Sequence, residues 1–227
     1  MTAPHGPQTA KTRTRILIVD DHPITRYGLI QLINHEPDLL VCGEAESAQQ
    51  ALAILKSTQP VLVLADLTMP GKSGLDFIKD VQALHPGVAV LVMSMHDESI
   101  YAERVLRAGG RGYIMKSEGG EKLLEAIRLV LGGQIYVSKR ISATILDAFA
   151  CRSRPGVATP GVLSDREFEV FQLIGQGLTT REIARRLNLS GKTVGTHRLH
   201  IKEKLRLQTG AELIKQAVRW SATQQLV

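Results

Sequence analysis

Five short runs rich in Val, Ile and Leu, each followed by a segment of helical spacing and all free of polar alternation, constrain the fold of this chain most. They are Ile16 to Val19, Leu39 to Val41, Val61 to Ala65, Val88 to Met93 and Gly112 to Met115. Such runs are the pattern of strands buried on both faces. Between and after them, apolar residues recur at helical spacing, from Ile24, Leu29, Leu32 and Ile33 in the first segment to Leu123, Leu124, Ile127, Val130 and Leu131 in the last. Alternating strands and helices with right-handed crossovers put helices on both faces of a parallel sheet. Residues 15–132 are therefore predicted to form an α/β, doubly wound, five-stranded parallel sheet, with a strand order beginning 2-1-3.

Beyond this unit the pattern changes. Gly132-Gly133 ends its last helix, and the stretch from Arg152 to Gly161 is the richest in Pro and Gly. Residues 133–158 read as a linker, partly helical over Ser138 to Phe149, residues 1–14 as a flexible N-terminus, and residues 159–227 as a small all-α domain. Ser164-Asp-Arg-Glu167 and Thr179-Thr-Arg-Glu182 fit the capping box that satisfies free amides at a helix start. The formal charge of +6 is unevenly placed: from Ala150 onward 13 Lys and Arg stand against 6 Asp and Glu, so the excess lies in the all-α part. A basic surface of this kind is either solvated or a footprint for phosphate backbones. No apolar run approaches the ~18 residues of a membrane span, and the N-terminus lacks a signal peptide's apolar stretch. Cys42 and Cys151 form no disulfide framework or zinc spacing. A cytoplasmic protein with no membrane association is expected.

In open α/β sheets ligands bind beyond the carboxyl ends of the strands. Asp20 and Asp21 follow the first strand and Asp66 the third, and a 2-1-3 order makes those strands neighbours. Singly, Asp21 could cap the helix opened by Pro23, and Asp66 could start the turn at Met69-Pro70-Gly71. Together, three carboxylates in one crevice repel one another unless a cation sits among them, and oxygen-only ligands with an open coordination sphere suit Mg²⁺. Ser94 and Lys116 close the fourth and fifth strands, where packing asks for no polar residue. A hydroxyl and an ammonium facing such a site make a cradle for a phosphoryl group, with a carboxylate as nucleophile.

On these residues the chain resembles the receiver domains of two-component response regulators, a flavodoxin-like fold. The match lies in Val19-Asp-Asp-His-Pro23, Leu64-Ala-Asp-Leu-Thr-Met-Pro-Gly71, Val92-Met-Ser94 and Gly112-Tyr-Ile-Met-Lys116. The resemblance implies that Asp66 is the phosphoacceptor, and that Asp20, Asp21 and Asp66 with the backbone carbonyl of Thr68 hold Mg²⁺. It also implies that Ser94 and Tyr113 form the switch, Tyr113 turning inward on phosphorylation, and that Lys116 pairs with the phosphoryl group. Ser117 departs from the Pro that many receivers carry and leaves the isomer of the Lys116–Ser117 bond open. Other phosphate chemistries fit less well. A haloacid-dehalogenase-type phosphatase needs an acid where Thr68 stands, no Walker motif exists, and Gly109-Gly-Arg-Gly112 follows a helix and so reads as its terminator.

The C-terminal segment is similar to the LuxR-type helix-turn-helix domain of NarL/FixJ-class response regulators. The matching residues are Leu163-Ser-Asp-Arg-Glu167, Val170 to Gly177, Arg181 to Leu187, and Leu189-Ser-Gly-Lys-Thr-Val194 with His197. At ~3.6 residues per turn, Lys192, Thr196, Leu199 and Glu203 lie opposite the apolar face of Val194, Ile201 and Leu205. Thr196 and Leu199 are then base-edge candidates, with Lys192 and Thr193 near them at the helix start. Arg198 and Lys202 suit phosphates, as do Arg185 and Arg186 on the preceding helix, which crosses the backbone in this motif. His197 reads as a packed structural histidine, and Gly195 departs from the long side chain of many relatives. By resemblance, the last helix pairs two domains on DNA through Leu213, Ile214, Ala217 and Val218.

The expected function is a phosphorylation-activated transcription regulator, served by a sensor histidine kinase and binding double-stranded promoter DNA as a homodimer. It is expected not to be an enzyme beyond self-phosphorylation and slow self-dephosphorylation. The alternative is a signalling module that works through protein contacts without sequence-specific DNA binding.

Overall fold

The computed structural model describes residues 13–69, 72–143 and 162–225. The proposed flexible N-terminus up to residue 12, the connector beyond residue 143 and Cys151 lie outside them. The first unit runs β1 (Thr14–Val19), α1 (Pro23–His35), β2 (Leu39–Ala45), α2 (Ala48–Thr58), β3 (Leu62–Ala65), α3 (Gly74–Leu84), β4 (Ala89–Ser94), α4 (Glu98–Arg107), β5 (Gly112–Met115) and α5 (Gly120–Leu131). All strand pairs are parallel, in the order β2-β1-β3-β4-β5, which includes the 2-1-3 start expected from the sequence.

The strands alternate between two cores. Leu17, Val19, Val63, Ala65, Val90 and Val92 face α2, α3 and α4, whereas Ile16, Ile18, Leu62, Leu64, Leu91 and Met93 face α1 and α5. Burial on both faces is why these runs are apolar throughout. β2 extends four residues past Val41, through Cys42, Gly43 and Glu44. It is an edge strand whose middle is only half-buried, so those positions need not be apolar, and its register against β1 shifts between Ile16 and Leu17. The turn after α4 is a helix terminator as expected, with Gly109 at φ +100° and Gly110 N donating to Val105 O at 2.9 Å.

Residues past Gly133 stay attached to the sheet. Tyr136 bridges to Gly112, its carbonyl accepting from Tyr113 N at 2.8 Å, and residues 139–143 are helical. The rest of the helix expected over Ser138 to Phe149 lies outside the described residues. The second unit comprises α6 (Asp165–Gly175), α7 (Thr180–Arg186), α8 (Gly191–Leu205) and α9 (Gly210–Gln225). Both capping boxes form: Glu167 and Glu182 accept from Ser164 N and Thr179 N at 2.8 Å each. α6 lies against α4 of the first unit, so the apolar cluster that includes Tyr101 continues through Phe168 into the helical unit.

The loop carrying Asp66 is fixed at its far end by Gly74, whose N–H donates to Leu67 O at 3.2 Å. A Cβ on Gly74 would stand 2.6 Å from Leu67 Cα and 2.7 Å from Leu67 O, against backbone that cannot rotate away. Gly74→Ala is therefore expected to destabilise the first unit by about 1–3 kcal/mol, measured as a lowered midpoint in urea. An unchanged midpoint would show that this loop closes without strain.

Candidate functional site

The carboxyl ends of β1, β3, β4 and β5 bring Asp20, Asp21, Asp66, Ser94 and Lys116 to one crevice. Ligand atoms of Asp20, Asp21, His22 and Asp66 all lie within 4.8 Å of one another. Asp20 and Asp66 are buried at 1% and 5% exposure. Lys116 reaches both, its Nζ standing 2.6 Å from Asp20 Oδ2 and 2.8 Å from Asp66 Oδ2. Burial pulls the Lys116 ammonium down, but its hydrogen bonds to Asp20 and Asp66 outweigh that and hold its pKa above the ordinary value.

The simpler roles considered for the acids fare differently. α1 has His22 at its N-cap and no side-chain cap bond, so Asp21 does not cap it. Asp21 Oδ1 is buried without a hydrogen-bond partner, although His22 Nδ1 lies 2.8 Å away in a geometry that makes no such bond. A buried carboxylate oxygen left open beside two other acids fits a divalent cation. Asp66 does brace its loop, since its Oδ1 accepts from Thr68 N at 3.2 Å, while its Oδ2 takes Lys116. Asp20 Oδ1 accepts from His22 N at 2.8 Å.

Ser94 is fully buried, and Tyr113 is fully buried one strand away. The Tyr113 hydroxyl donates to His96 O at 2.7 Å, and burial pushes its pKa well up. The inward turn expected of Tyr113 is thus already made in this conformation, because its ring fills the core between β5 and α4. Among the described residues no peptide is cis, so Lys116–Ser117 is trans, at the head of a 3-10 turn over Lys116–Glu118. Sequence reading gave no role to His22 or His96. Adjacency to the acids was the only signal for His22, and nothing local marks His96.

In the helical unit, α8 buries Val194, Ile201 and Leu205 and presents Lys192, Thr196 and Leu199 outward, Leu199 at 49% exposure. Ser190 caps it, accepting from Thr193 N at 3.0 Å. The half-buried Thr193 also shares its hydroxyl with Ser190 at 2.8 Å, so it serves the cap before it can serve a ligand. The Thr196 hydroxyl donates to Lys192 O at 3.2 Å and keeps its lone pairs free to accept. Arg198 and Lys202 are half-buried on the flanks, and Arg185 and Arg186 are exposed at the end of α7. His197 is half-buried, and burial lowers its pKa, with Arg166 adding to the effect. Buried Glu167 ties α6 to α8 through Lys204 at 2.7 Å.

The stripe expected to pair two domains divides. Leu213 and Ala217 are fully buried in their own domain, where α9 crosses α6 so closely that a Cβ on Gly175 would lie 2.6 Å from Ala217 O. They are core residues and not surface. Ile214 and Val218, on the other flank, are 46% and 45% exposed.

Comparison with known proteins agrees with both halves. Residues 16–128 match the response regulator receiver domain, and residues 161–217 match the bacterial regulatory proteins of the luxR family. The oxygen regulatory protein NreC of Staphylococcus aureus is 35% identical over 210 residues, covering 90% of this chain and 97% of NreC. Among solved structures, a LuxR-family two-component response regulator from Aurantimonas is 33% identical, with a TM-score of 0.57 over 62% of this chain and all of that one. RcsB of Salmonella typhimurium, at 24% identity, shares the fold with a TM-score of 0.67 over 91% of this chain and 98% of its own. A further RcsB structure, bound to promoter P1flhDC in the presence of phosphomimetic BeF3-, is 25% identical with a TM-score of 0.64 over 91% and 98% of the two chains. With a receiver domain followed by a luxR-family DNA-binding domain, the chain belongs to the LuxR-family response regulators.

Proposed function

We propose that this response regulator is switched by phosphorylation of Asp66 and binds promoter DNA as a homodimer. The observation that carries the reading is the pair of buried carboxylates, Asp20 and Asp66, held by one Lys116 ammonium beside the open oxygen of Asp21. Asp20, Asp21, Asp66 and the Thr68 carbonyl would hold Mg²⁺, which when bound offsets the charge of phosphoryl oxygens. An Asp66 carboxylate oxygen attacks phosphorus, the bond to the kinase histidine breaks, and an acyl phosphate remains on Asp66. Lys116 then turns from the carboxylate toward a phosphoryl oxygen, and the Ser94 hydroxyl donates to another. The protein acts on itself and not on an external substrate, so it is a regulator and not an enzyme in turnover.

On the DNA side, Thr196 and Leu199 read base edges, Leu199 suiting a thymine methyl. Lys192, Arg198, Lys202, Arg185 and Arg186 hold the phosphate backbone. Exposed Ile214 and Val218 are the surface through which two domains pair. No helix among the described residues is long and apolar enough to cross a membrane, which fits a cytoplasmic location.

With Mg²⁺ and a small-molecule phosphodonor, the protein should gain one base-labile acyl phosphate, mapped to Asp66 by mass spectrometry. Stoichiometric, persistent labelling of Asp66→Asn would refute the assignment. On DNA, Leu199→Ala should relax sequence preference by about 1–3 kcal/mol with little change in salt dependence. Lys202→Ala should weaken binding to every sequence and reduce the slope of log affinity against log salt by about one unit. The reverse pattern in a binding titration would mean that α8 docks in another rotation.

A further inference from the structure

One residue outside the acidic crevice touches Ser94, Tyr113 and Thr68 together. His96 lies on the loop between β4 and α4, its N–H donating to Ser94 Oγ at 3.3 Å and its carbonyl accepting from the Tyr113 hydroxyl. Its Nε2 is 2.8 Å from the hydroxyl of Thr68, two residues past Asp66. The ring also lies against Tyr101 of α4, with centroids 5.0 Å apart.

Tyr101 faces the DNA-binding domain. Its ring meets Phe168 of α6 edge-on at 5.6 Å, and its hydroxyl donates to Gln172 Oε1. Phe168 meets Trp220 of α9 edge-on at 5.3 Å, with Phe171 at 5.8 Å from the same indole. Each spacing falls within the range of favourable aromatic pairs. Tyr101 and Phe168 are 5% and 2% exposed, and cavities adjoin both, one bordered by His96, Tyr101 and Gln172 and the other by Phe168 and Trp220. Charged groups brace the contact. The Arg104 guanidinium lies 4.1 Å from the Phe168 ring centroid and donates to Leu163 O at 3.1 Å, while Arg104 and Lys79 both reach Asp165, at 3.0 and 2.7 Å.

This grip is on Leu163 and α6, and α6 in turn meets α9 through Trp220. Lys192, Thr196 and Leu199 of α8 remain exposed, so the receiver does not control DNA binding here by covering the reading face. α9 instead carries both Trp220, at the end of the ring series, and the exposed Ile214 and Val218.

We infer that His96 is a positioning residue that carries the state of Asp66 across the domain interface, through Tyr101 and Phe168, to Trp220 and helix α9. The inference rests on phosphorylation of Asp66. A phosphoryl group there engages the Ser94 hydroxyl from which the His96 N–H hangs, and places new negative charge beside Thr68, which holds the imidazole. The imidazole moves against Tyr101, and the rings beyond it, which border two cavities, have room to rearrange.

Trp220 is the only tryptophan in the chain, so emission excited at the red edge, where the four tyrosines do not absorb, reports it alone. The full chain is treated with Mg²⁺ and acetyl phosphate, with acyl phosphate counted by intact mass and Trp220 emission read in the same sample. The wild type should be labelled and change its emission. His96→Ala and Tyr101→Leu should be labelled to the wild-type stoichiometry, which requires a folded receiver, while their emission change falls by about fivefold or more. Tyr101→Phe keeps the ring and should keep the response. A labelled wild type with unchanged emission would overturn the inference, as would a wild-type response in His96→Ala and Tyr101→Leu, or a lost response in Tyr101→Phe. Loss of labelling in His96→Ala would place the residue in the acceptor chemistry and also overturn the coupling role. An unlabelled wild type would overturn the phosphorylation reading itself, and the inference with it.

Discussion

Two carboxylates buried side by side, Asp20 and Asp66, are tolerable because one ammonium lies against both. A buried charge without a partner is among the costliest features a fold can hold, and removing one member of a buried pair typically costs about 3–5 kcal/mol. The architecture follows from meeting that condition. Strands β1 and β3 must be neighbours to bring the acids together, and β5 must end at the same rim to deliver Lys116. The parallel order β2-β1-β3-β4-β5 does both, and it sets Ser94 at the intervening strand end. The same arrangement is poised for change, because any new charge on Asp66 redistributes the bonds of a single lysine.

That sensitivity has a physical route outward. The β4–α4 loop hangs from Ser94 at one end and leads at the other into the helix that meets the DNA-binding domain. The domain contact combines aromatic rings with the Arg104, Lys79 and Asp165 charges, and it spares the outward face of α8. A regulator built this way can keep its reading helix accessible while altering how the last helix is held.

Much of this was legible in the sequence, and the physical reason is periodicity. Strands buried on both faces must be apolar throughout, so β1, β3, β4 and β5 were visible within a residue or two, and the acids at their ends stood out against that background. The edge strand β2 was read short because Cys42, Gly43 and Glu44 sit where burial is incomplete. Helical spacing gave the outward face of α8 correctly, Leu199 included. It failed for Leu213 and Ala217, since a stripe on a helix does not say whether its own domain or a partner covers it. The bond between the Thr193 hydroxyl and the cap residue Ser190 is not visible in helical spacing, and Tyr113 was expected to move inward although its ring already fills the core. His96 left no trace in the pattern, because its contacts come from segments far apart in the chain.

The proposed function puts a divalent cation on the carboxylates that Lys116 holds in this structure, so the two cations oppose each other there. Two cationic charges about 4–5 Å apart repel by several kcal/mol even at an effective dielectric near 20. Titration calorimetry of Mg²⁺ into the unphosphorylated full chain and its Lys116→Met variant tests this directly. The account predicts that the variant binds Mg²⁺ about tenfold or more tightly than the wild type. Equal or weaker binding in the variant would contradict it, and would mean that Lys116 does not hold the site in place of the metal.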